Sequence, residues 1–312
     1  MKFPKNKKFA FTIFDDTDKA TLENVGPVYE LLSNLGIHTT KSVFVFPHEE
    51  SKIPETLGQT LNDSQYLSFV LKLRDRGFEI GLHGARGISS KRDDIIKAIK
   101  YFKEVIGYYP RVYANHLRNR EKIYWGAERF TFGISKLFYK TLTFKRNFEE
   151  KWWSGGHFPT SEYFWGDILK KHITYVRNFT FPYINTLKIN PSMPYHNPKK
   201  PYVNFWFSSS DGHDVEAFNR LLSKKNIDKL EKENGACIVY THFANGFVDN
   251  GKVNPITKDL LTQLSKREGW FIPVSTLLDY LASQRISHQI FLREIIKMET
   301  TWFFYKIKYG KS

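Results

Sequence analysis

Short apolar runs alternate along this chain with longer segments of helical periodicity. The runs are Phe9–Phe14, Ser42–Phe46, Phe78–Leu82, Arg111–Asn115, Ile173–Phe179, Val203–Phe207 and Ala236–Thr241, with Phe271–Val274 as an eighth. Their nearly continuous apolar character is that of strands covered on both faces. Between them, Thr21–Leu35 stops at Gly36, Ser64–Arg76 at Gly77 and Ser89–Ile106 at Gly107, each glycine standing where a helix C-cap favours it. Ser90-Lys-Arg-Asp93 reads as an N-terminal capping pattern for the third of these helices. Strand and helix in alternation predict βα units around a parallel sheet. Seven or eight such units predict an α/β fold, a distorted (β/α)7–8 barrel rather than an open sheet.

Three stretches depart from this rhythm. Residues from about 119 to 171 are too many for a simple crossover and predict an aromatic-rich insertion of helices and loops over one barrel face. Pro191 to Pro201 reads as an irregular Pro-rich loop. Beyond Arg285, apolar residues at Phe291, Ile295, Met298, Trp302, Tyr305 and Tyr309 mark one face of a helix, accompanied by Lys297, Lys306, Lys308 and Lys311. The expected organisation is a barrel over 1–282 and an amphipathic C-terminal helix over 283–312, seated on the barrel or on a membrane surface.

Charge and composition narrow the functional classes. Lys and Arg number 47 against 32 Asp and Glu, a net +15, which favours an anionic partner such as a phosphorylated substrate or a membrane surface. The basic residues are dispersed and no zinc-finger or RNA-recognition signature is present, so nucleic acid is not expected as a partner. No apolar run is long enough for a transmembrane helix, and the basic start runs into a strand without a signal-peptide core, so a cytoplasmic location is expected. Cys237, the single cysteine, lies in a strand run and reads as a buried core thiol.

The chemistry-bearing residues gather at the ends of the predicted strands. Asp15 and Asp16 follow the first, His83 the third, Asn115 and His116 the fourth, Asp211 and His213 the sixth, and His242 the seventh. In a parallel barrel these ends share one rim, where active sites are built. Adjacent carboxylates repel unless a metal or a proton lies between them, which points to one on a metal and its neighbour as a general base. A carboxylate with two imidazoles suits zinc or another first-row divalent ion, with an open position for water. A base on one side and a histidine acid on the other complete the parts for hydrolysing an amide or ester.

Phe14-Asp15-Asp16-Thr17-Asp18, Glu79-Ile-Gly-Leu-His83 and Ile238-Val-Tyr-Thr-His242 resemble motifs of the polysaccharide deacetylase family (NodB homology, carbohydrate esterase 4). Pro273-Val-Ser-Thr-Leu-Leu-Asp279 resembles that family's C-terminal end, and the likeness runs over most of residues 8 to 282. It implies a distorted (β/α) barrel, a divalent metal (zinc, with cobalt or nickel as alternatives) and removal of an acyl group from a sugar. Matched residue by residue, it implies Asp15 as catalytic base, Asp16 and His83 as metal ligands and His242 as general acid. Two departures stand out. Gly87 occupies the place of the family's second motif histidine, and no arginine stands near Ala114 to steady the base. His116 is the expected substitute ligand, and Asn115 or Arg118 the expected partner of the base.

Tyr124-Trp125-Gly126 and Tyr163-Phe-Trp-Gly-Asp167 are similar to segments of deacetylase-like proteins of O-antigen and other surface-glycan assembly. That likeness implies a nucleotide- or lipid-linked sugar substrate, an N-acetyl or N-formyl group removed, and Trp125 and Trp165 around the substrate. Asp211, on the same rim, is expected near the substrate and as a positioner of His242. Peripheral membrane contact through the C-terminal helix follows from its charge. Two rival expectations are a catalytically inactive barrel that binds glycan or scaffolds an assembly, and an amidohydrolase of a non-sugar C–N bond.

Overall fold

The computed structural model describes residues 2–47, 58–143 and 153–309. Trp152 and Lys311, and the side chains of Lys308 and Tyr309, lie outside the described residues. Seven parallel strands form the barrel: β1 (Phe9–Asp15), β2 (Thr40–Phe44), β3 (Glu79–Gly84), β4 (Val112–Tyr113), β5 (Tyr175–Phe181), β6 (Phe205–Asp211) and β7 (Ala236–Thr241). Each pairs with the next, and β7 pairs back onto β1 over Ala10–Asp15 to close the ring. A small hairpin, β8 (Val248–Asp249) with β9 (Lys252–Val253), stands apart from the ring. The expected eighth strand, Phe271–Val274, falls two residues earlier as β10 (Gly269–Phe271), Val274 starting a helix instead; β10 pairs only with Phe9–Phe11 of β1 and stays outside the ring.

Helices α1 (Leu22–Asn34), α2 (Ser64–Asp75) and α3 (Arg92–Ile106) follow the first three strands. Gly36, Gly77 and Gly107 all take positive φ beyond their ends, which a side chain disfavours. One expected cap is absent. The cap position of α3 is Lys91, without a side-chain hydrogen bond, and the Ser90 N–H donates to buried Glu121 instead. Later helices are α4 (Gly133–Leu142) and α5 (Gly166–His172) in the insertion, then α6 (Thr186–Ile189), α7 (Val215–Leu221), α8 (Lys224–Lys232), α9 (Pro255–Ser265), α10 (Val274–Ser283) and α11 (Leu292–Tyr309). Among the described residues no helix is long and apolar enough to cross a membrane.

β1 shows how the two faces of each strand are used. Phe9, Phe11 and Ile13 belong to the core shared with Val25, Val28, Tyr29 and Leu32 of α1, between barrel and helices. Ala10 and Phe14 belong to the barrel interior with Val112, Ala114, Phe207 and Ile238. The interior is plugged at its N-terminal end by Val274, Leu277, Leu278 and Leu281 of α10. Polar contacts hold that plug: Glu79 accepts from Thr40 Oγ1 (2.6 Å) and the Ser275 N–H (3.1 Å), while Asp279 takes a two-pronged bond from Arg111 and one from Tyr175.

Asp15 has the parity of Phe11 and Ile13, and therefore turns away from the barrel interior. It is fully buried, as is Lys41, and they pair at 2.9 Å. Tyr29 Oη donates to the same carboxylate oxygen at 2.8 Å, and the Phe243 N–H to the other at 2.8 Å. One carboxylate thus joins β1, β2, α1 and the loop after β7. Burial opposes the Lys41 charge, but Asp15 and Tyr66 more than restore it, so its pKa lies above the ordinary lysine value.

The insertion and α11 close over the C-terminal rim. Gly155 and Gly156 donate to the carbonyls of Arg120 and Lys122, an approach so close that a Cβ on Gly156 would lie 2.0 Å from the Glu121 carbonyl oxygen. Ile295, Met298, Trp302 and Phe303 of α11 are buried, with Phe303 stacked on Phe130 of the insertion at 4.6 Å. Phe291, expected on the same face, is exposed instead because it precedes the helix. Cys237 is fully buried, and burial pushes its thiol up to about 12.

Replacing Lys41 with Met strands the Asp15 carboxylate and should cost roughly 3–5 kcal/mol of unfolding free energy. The double variant Lys41→Met with Asp15→Asn should recover part of that loss. Urea unfolding of the three proteins checks this, and an undiminished stability in the single variant would refute it.

Candidate active site

At the C-terminal rim the strands deliver polar groups into a cleft of about 100 Å³. It is lined by Asp16, Asp18, His83, Asn115, His116, Leu117, Trp125, Arg129, Arg177, Thr180, Tyr240, His242 and Trp302. Asp16 has the parity of Phe14 and points where Phe14 points, towards the interior. There it meets Arg177 of β5, which donates from Nη1 to Oδ1 at 2.9 Å and from Nη2 to Oδ2 at 2.6 Å. Arg177 also lies over the rings of Tyr240 (4.2 Å) and Phe14 (5.2 Å). Burial opposes the Arg177 charge, and Asp16 overcomes it to raise the pKa. Between Arg177 and Thr180 the β5–β6 register shifts, a strand irregularity beside the cleft.

Asp18 sits two residues beyond Asp16 in the turn that enters α1. Its Oδ1 is 3.2 Å from His116 Nε2 and 3.6 Å from His83 Nε2, and its Oδ2 is 3.0 Å from His242 Nε2. Burial works against the Asp18 charge, but His116 and His83 hold its carboxyl well below the usual range. His116 shifts upward against its own burial through Asp18. His242 rises to about 9, the penalty of burial outweighed by the hydrogen bond to Asp18.

The remaining ring nitrogens are oriented from behind. His116 Nδ1 lies 2.9 Å from Asn119 Oδ1, whose own Nδ2 is committed to the Arg86 carbonyl and Glu121. Asn119 Oδ1 therefore accepts, which assigns the proton to His116 Nδ1 and leaves Nε2 to face Asp18. His242 Nδ1 lies 3.0 Å from the His213 carbonyl and likewise donates, turning Nε2 into the cleft.

Asp18, His83 and His116 each present one atom such that all three lie within 4.8 Å of one another. Asp18 Oδ1 and both ring nitrogens of His83 are buried without a hydrogen-bond partner, the condition of donors made for a ligand other than protein. One carboxylate oxygen with two imidazoles is the donor set of an open divalent site, and these residues fit a metal ion.

The positions expected from sequence distribute unevenly. His83, His116 and His242 all reach the cleft. Asp15, expected as the base, is enclosed by Lys41, Tyr29 and the loop after β7 and does not line it. Asp16, expected on the metal, is occupied by Arg177, and Asp18 takes its place beside the histidines. Asn115 lines the cleft, but its amide bonds the Ile123 N–H and carbonyl and Tyr113, so it holds its own loop rather than the base. Arg118 is half-buried and outside the lining. Trp125 lines the cleft, whereas Trp165 is core, its Nε1 bonded to the Glu121 carbonyl at 2.7 Å and its ring edge-on to Tyr113. Asp211 accepts from His213 and Tyr305 and reaches His242 only through the His213 backbone.

Arg177, Arg129, Tyr240 and Trp302 were not anticipated in the cleft. Arg177 left a trace in the sequence, a lone charged residue inside the apolar run Ile173–Phe179, where burial demands a counter-charge. Asp18 belongs to the motif Phe14-Asp15-Asp16-Thr17-Asp18, two residues past the Asp15-Asp16 pair.

No protein-family model and no curated protein matches the chain. Solved structures do match. A candidate polysaccharide deacetylase from Mycobacterium smegmatis aligns with a TM-score of 0.51 at 10% identity, over 94% of this chain and 96% of its own. Puue allantoinase aligns with a TM-score of 0.50 at 11% identity, over 91% and 93%. A GH57-type branching enzyme from the archaeon Pyrococcus horikoshii gives 0.50 at 11%, over 91% and 72%. At such identities the likeness establishes the fold alone, a closed (β/α)7 barrel.

Zinc titration of chelator-treated protein should show one tight equivalent. Asn119→Ala should weaken it roughly 10- to 100-fold by freeing the His116 ring, and Asp18→Asn at least as much. Asp16→Asn should keep the stoichiometry, and full affinity in Asp18→Asn would remove Asp18 from the site.

Proposed function

We propose that this protein is a metal-dependent hydrolase that removes an N-acyl group, acetyl or formyl, from a sugar. The observation that carries the reading is the convergence, in one rim cleft, of an arginine-held carboxylate, an Asp-His-His donor set and a histidine whose Nε2 faces inward. The fold shared with a candidate polysaccharide deacetylase agrees with it.

In this reading Asp18, His83 and His116 hold a divalent ion, zinc in the first instance with cobalt or nickel as alternatives. Such an ion, when bound, polarises an acyl oxygen and makes a water more acidic. Asp16 is the general base, taking a proton from the water that attacks the acyl carbon. Its bond to both Arg177 nitrogens fixes the carboxylate in the cleft, the part expected of Asn115 or Arg118. His242 delivers a proton to the departing nitrogen as the C–N bond breaks, leaving an amine and a carboxylic acid. The His213 carbonyl on Nδ1 keeps the other nitrogen aimed at the cleft.

The substrate we propose is a nucleotide- or lipid-linked sugar in cytoplasmic assembly of a surface polysaccharide of the O-antigen type. A net +15 supports an anionic substrate or surface. Lipid linkage gains support from α4 and α11, which expose Ile134 (80%), Leu137, Phe304 (73%) and Ile307 on neighbouring surfaces. Arg293, Lys297, Lys140 and Lys306 accompany them. The acids of these two helices, Glu294 and Glu299, bond inward to Ser192 and to the Thr131 N–H. This is the composition of an interfacial helix pair on an anionic bilayer.

Asp16→Asn should lower deacylation of N-acylated sugars by at least about 10²-fold, the scale of a general base, with bound metal retained. Asp15→Asn should lower stability while the folded fraction still turns over. Equal activity of Asp16→Asn and wild type would reject the base assignment. Activity on small cyclic amides with none on any acyl sugar would favour the amidohydrolase reading, in keeping with the allantoinase likeness. The protein should sediment with phosphatidylglycerol vesicles and not with phosphatidylcholine alone. Ile134→Asp with Phe304→Asp should abolish that, and binding unchanged by the pair would dismiss the membrane contact.

A further inference from the structure

The cleft holds two arginines in opposite electrostatic circumstances. Arg177 is neutralised by Asp16. Arg129, at the end of the short 3-10 turn Gly126–Arg129, is 8% exposed and has no carboxylate against it. Among the described residues its guanidinium enters no ion pair and no hydrogen bond, and its Nε is buried without a partner. What surrounds it is aromatic: Trp125 at 3.6 Å, Trp302 at 5.3 Å and Phe179 at 5.6 Å from ring centre to guanidinium carbon. Ring faces attract a cation but satisfy no N–H donor. Burial pushes the group down to about 10, with Arg177 adding to the push.

The carboxylates of the cleft are already committed, Asp16 to Arg177 and Asp18 to the histidines. A buried charge without a counter-charge or hydrogen-bond partners is costly to desolvate. A residue that lines a cleft in this condition is compensated when a ligand brings the opposite charge. Trp125 and Trp302 flatten and hold the guanidinium, so its fork of donors is pre-organised for a planar or tetrahedral oxyanion. Trp125 also lines a neighbouring cavity of about 380 Å³ with Gly126, Glu128, Tyr139 and Trp153.

We propose that Arg129 is the anion-recognition residue of this cleft, and that the substrate is an N-acylated sugar carrying a phosphoryl or carboxylate group. This deepens the acyl-sugar reading and rests on it for the sugar, but the anion subsite itself stands on Arg129 and its aromatic frame. Arg129 acts in binding and orientation, and takes no part in bond cleavage.

The test is direct binding to the zinc-loaded full chain, followed by tryptophan fluorescence or calorimetry at constant ionic strength. The probes are N-acetylglucosamine, its 1-phosphate, its uronic acid and inorganic pyrophosphate, with wild type and Arg129→Met. The 1-phosphate or the uronic acid should bind wild type more tightly than the neutral sugar. Arg129→Met should weaken that charged ligand roughly 10- to 100-fold, the scale of a charge-assisted hydrogen bond, and leave the neutral sugar unchanged. Loss confined to the phosphates identifies a phosphoryl group, and loss confined to the uronic acid a carboxylate. Because metal is equally loaded in both proteins, anion binding to the ion cancels in the comparison. Equal affinity of wild type and Arg129→Met for every charged probe overturns the proposal, as does no preference for charge in wild type. Should Arg129→Met not fold, Arg129→Lys, which lacks the fork, serves the same comparison. An Arg129-dependent anion site without any deacylation would sink the acyl-sugar reading and leave this one standing.

Discussion

The buried ion pair between Asp15 and Lys41 is the constraint around which the site is assembled. Neither residue has any solvent to share, and the carboxylate spends its remaining capacity on Tyr29 and the Phe243 N–H. Those partners come from a strand, a helix and the loop that carries His242. With Asp15 anchored on the helix side of β1, strand alternation leaves Asp16 only one direction, into the barrel. The position of His242 is set one residue before the same anchor. A buried, ion-paired carboxylate thus fixes the direction of its neighbour, and the two adjacent aspartates serve different surroundings.

Inside the barrel, charge is arranged in layers along the cleft. Asp16 with Arg177 forms a closed two-pronged pair roofed by Phe14 and Tyr240. Beside it, Asp18 faces three imidazoles, a cluster whose unbonded atoms call for a cation. Arg129, on the same lining, is a cation in an aromatic frame with no carboxylate against it. A paired carboxylate, an Asp-His-His cluster and a carboxylate-free guanidinium thus line one cleft. His116, at the neighbouring strand end, is held by Asn119 with its Nδ1 protonated and its Nε2 towards Asp18.

The insertion and α11 supply what the barrel alone lacks. Trp125 and Arg129 come from the first and Trp302 from the second, and the two are joined by Phe130 on Phe303 and by the Thr131 N–H on Glu299. Tyr305 ties the helix to the barrel through Asp211. The inner face of α11 therefore shapes the cleft while its outer face presents Phe304 and Ile307 to the surroundings. Any partner that covers the outer face sits within one helix diameter of the cleft's mouth, on the order of 10 Å.

Much of this protein was legible in the chain. Seven apolar runs separated by amphipathic segments sufficed for a parallel barrel, because burial on both faces and helical periodicity are local properties. The rim chemistry followed, since His83, His116 and His242 stand at strand ends whatever the details of closure. What the chain alone left open was the facing of individual side chains. In a strand buried on both sides every position is apolar, so no polar alternation shows which residues look inward, and a shift of one residue exchanges Asp15 for Asp16. Partners distant in sequence were equally hidden: Lys41 for Asp15, Arg177 for Asp16, and three aromatic rings from three segments around Arg129. Local pattern determined the strands, the helices and the rim. Closure of the barrel decided which carboxylate is structural, which is paired in the cleft and which meets the histidines, because only closure brings their counter-charges within bonding distance.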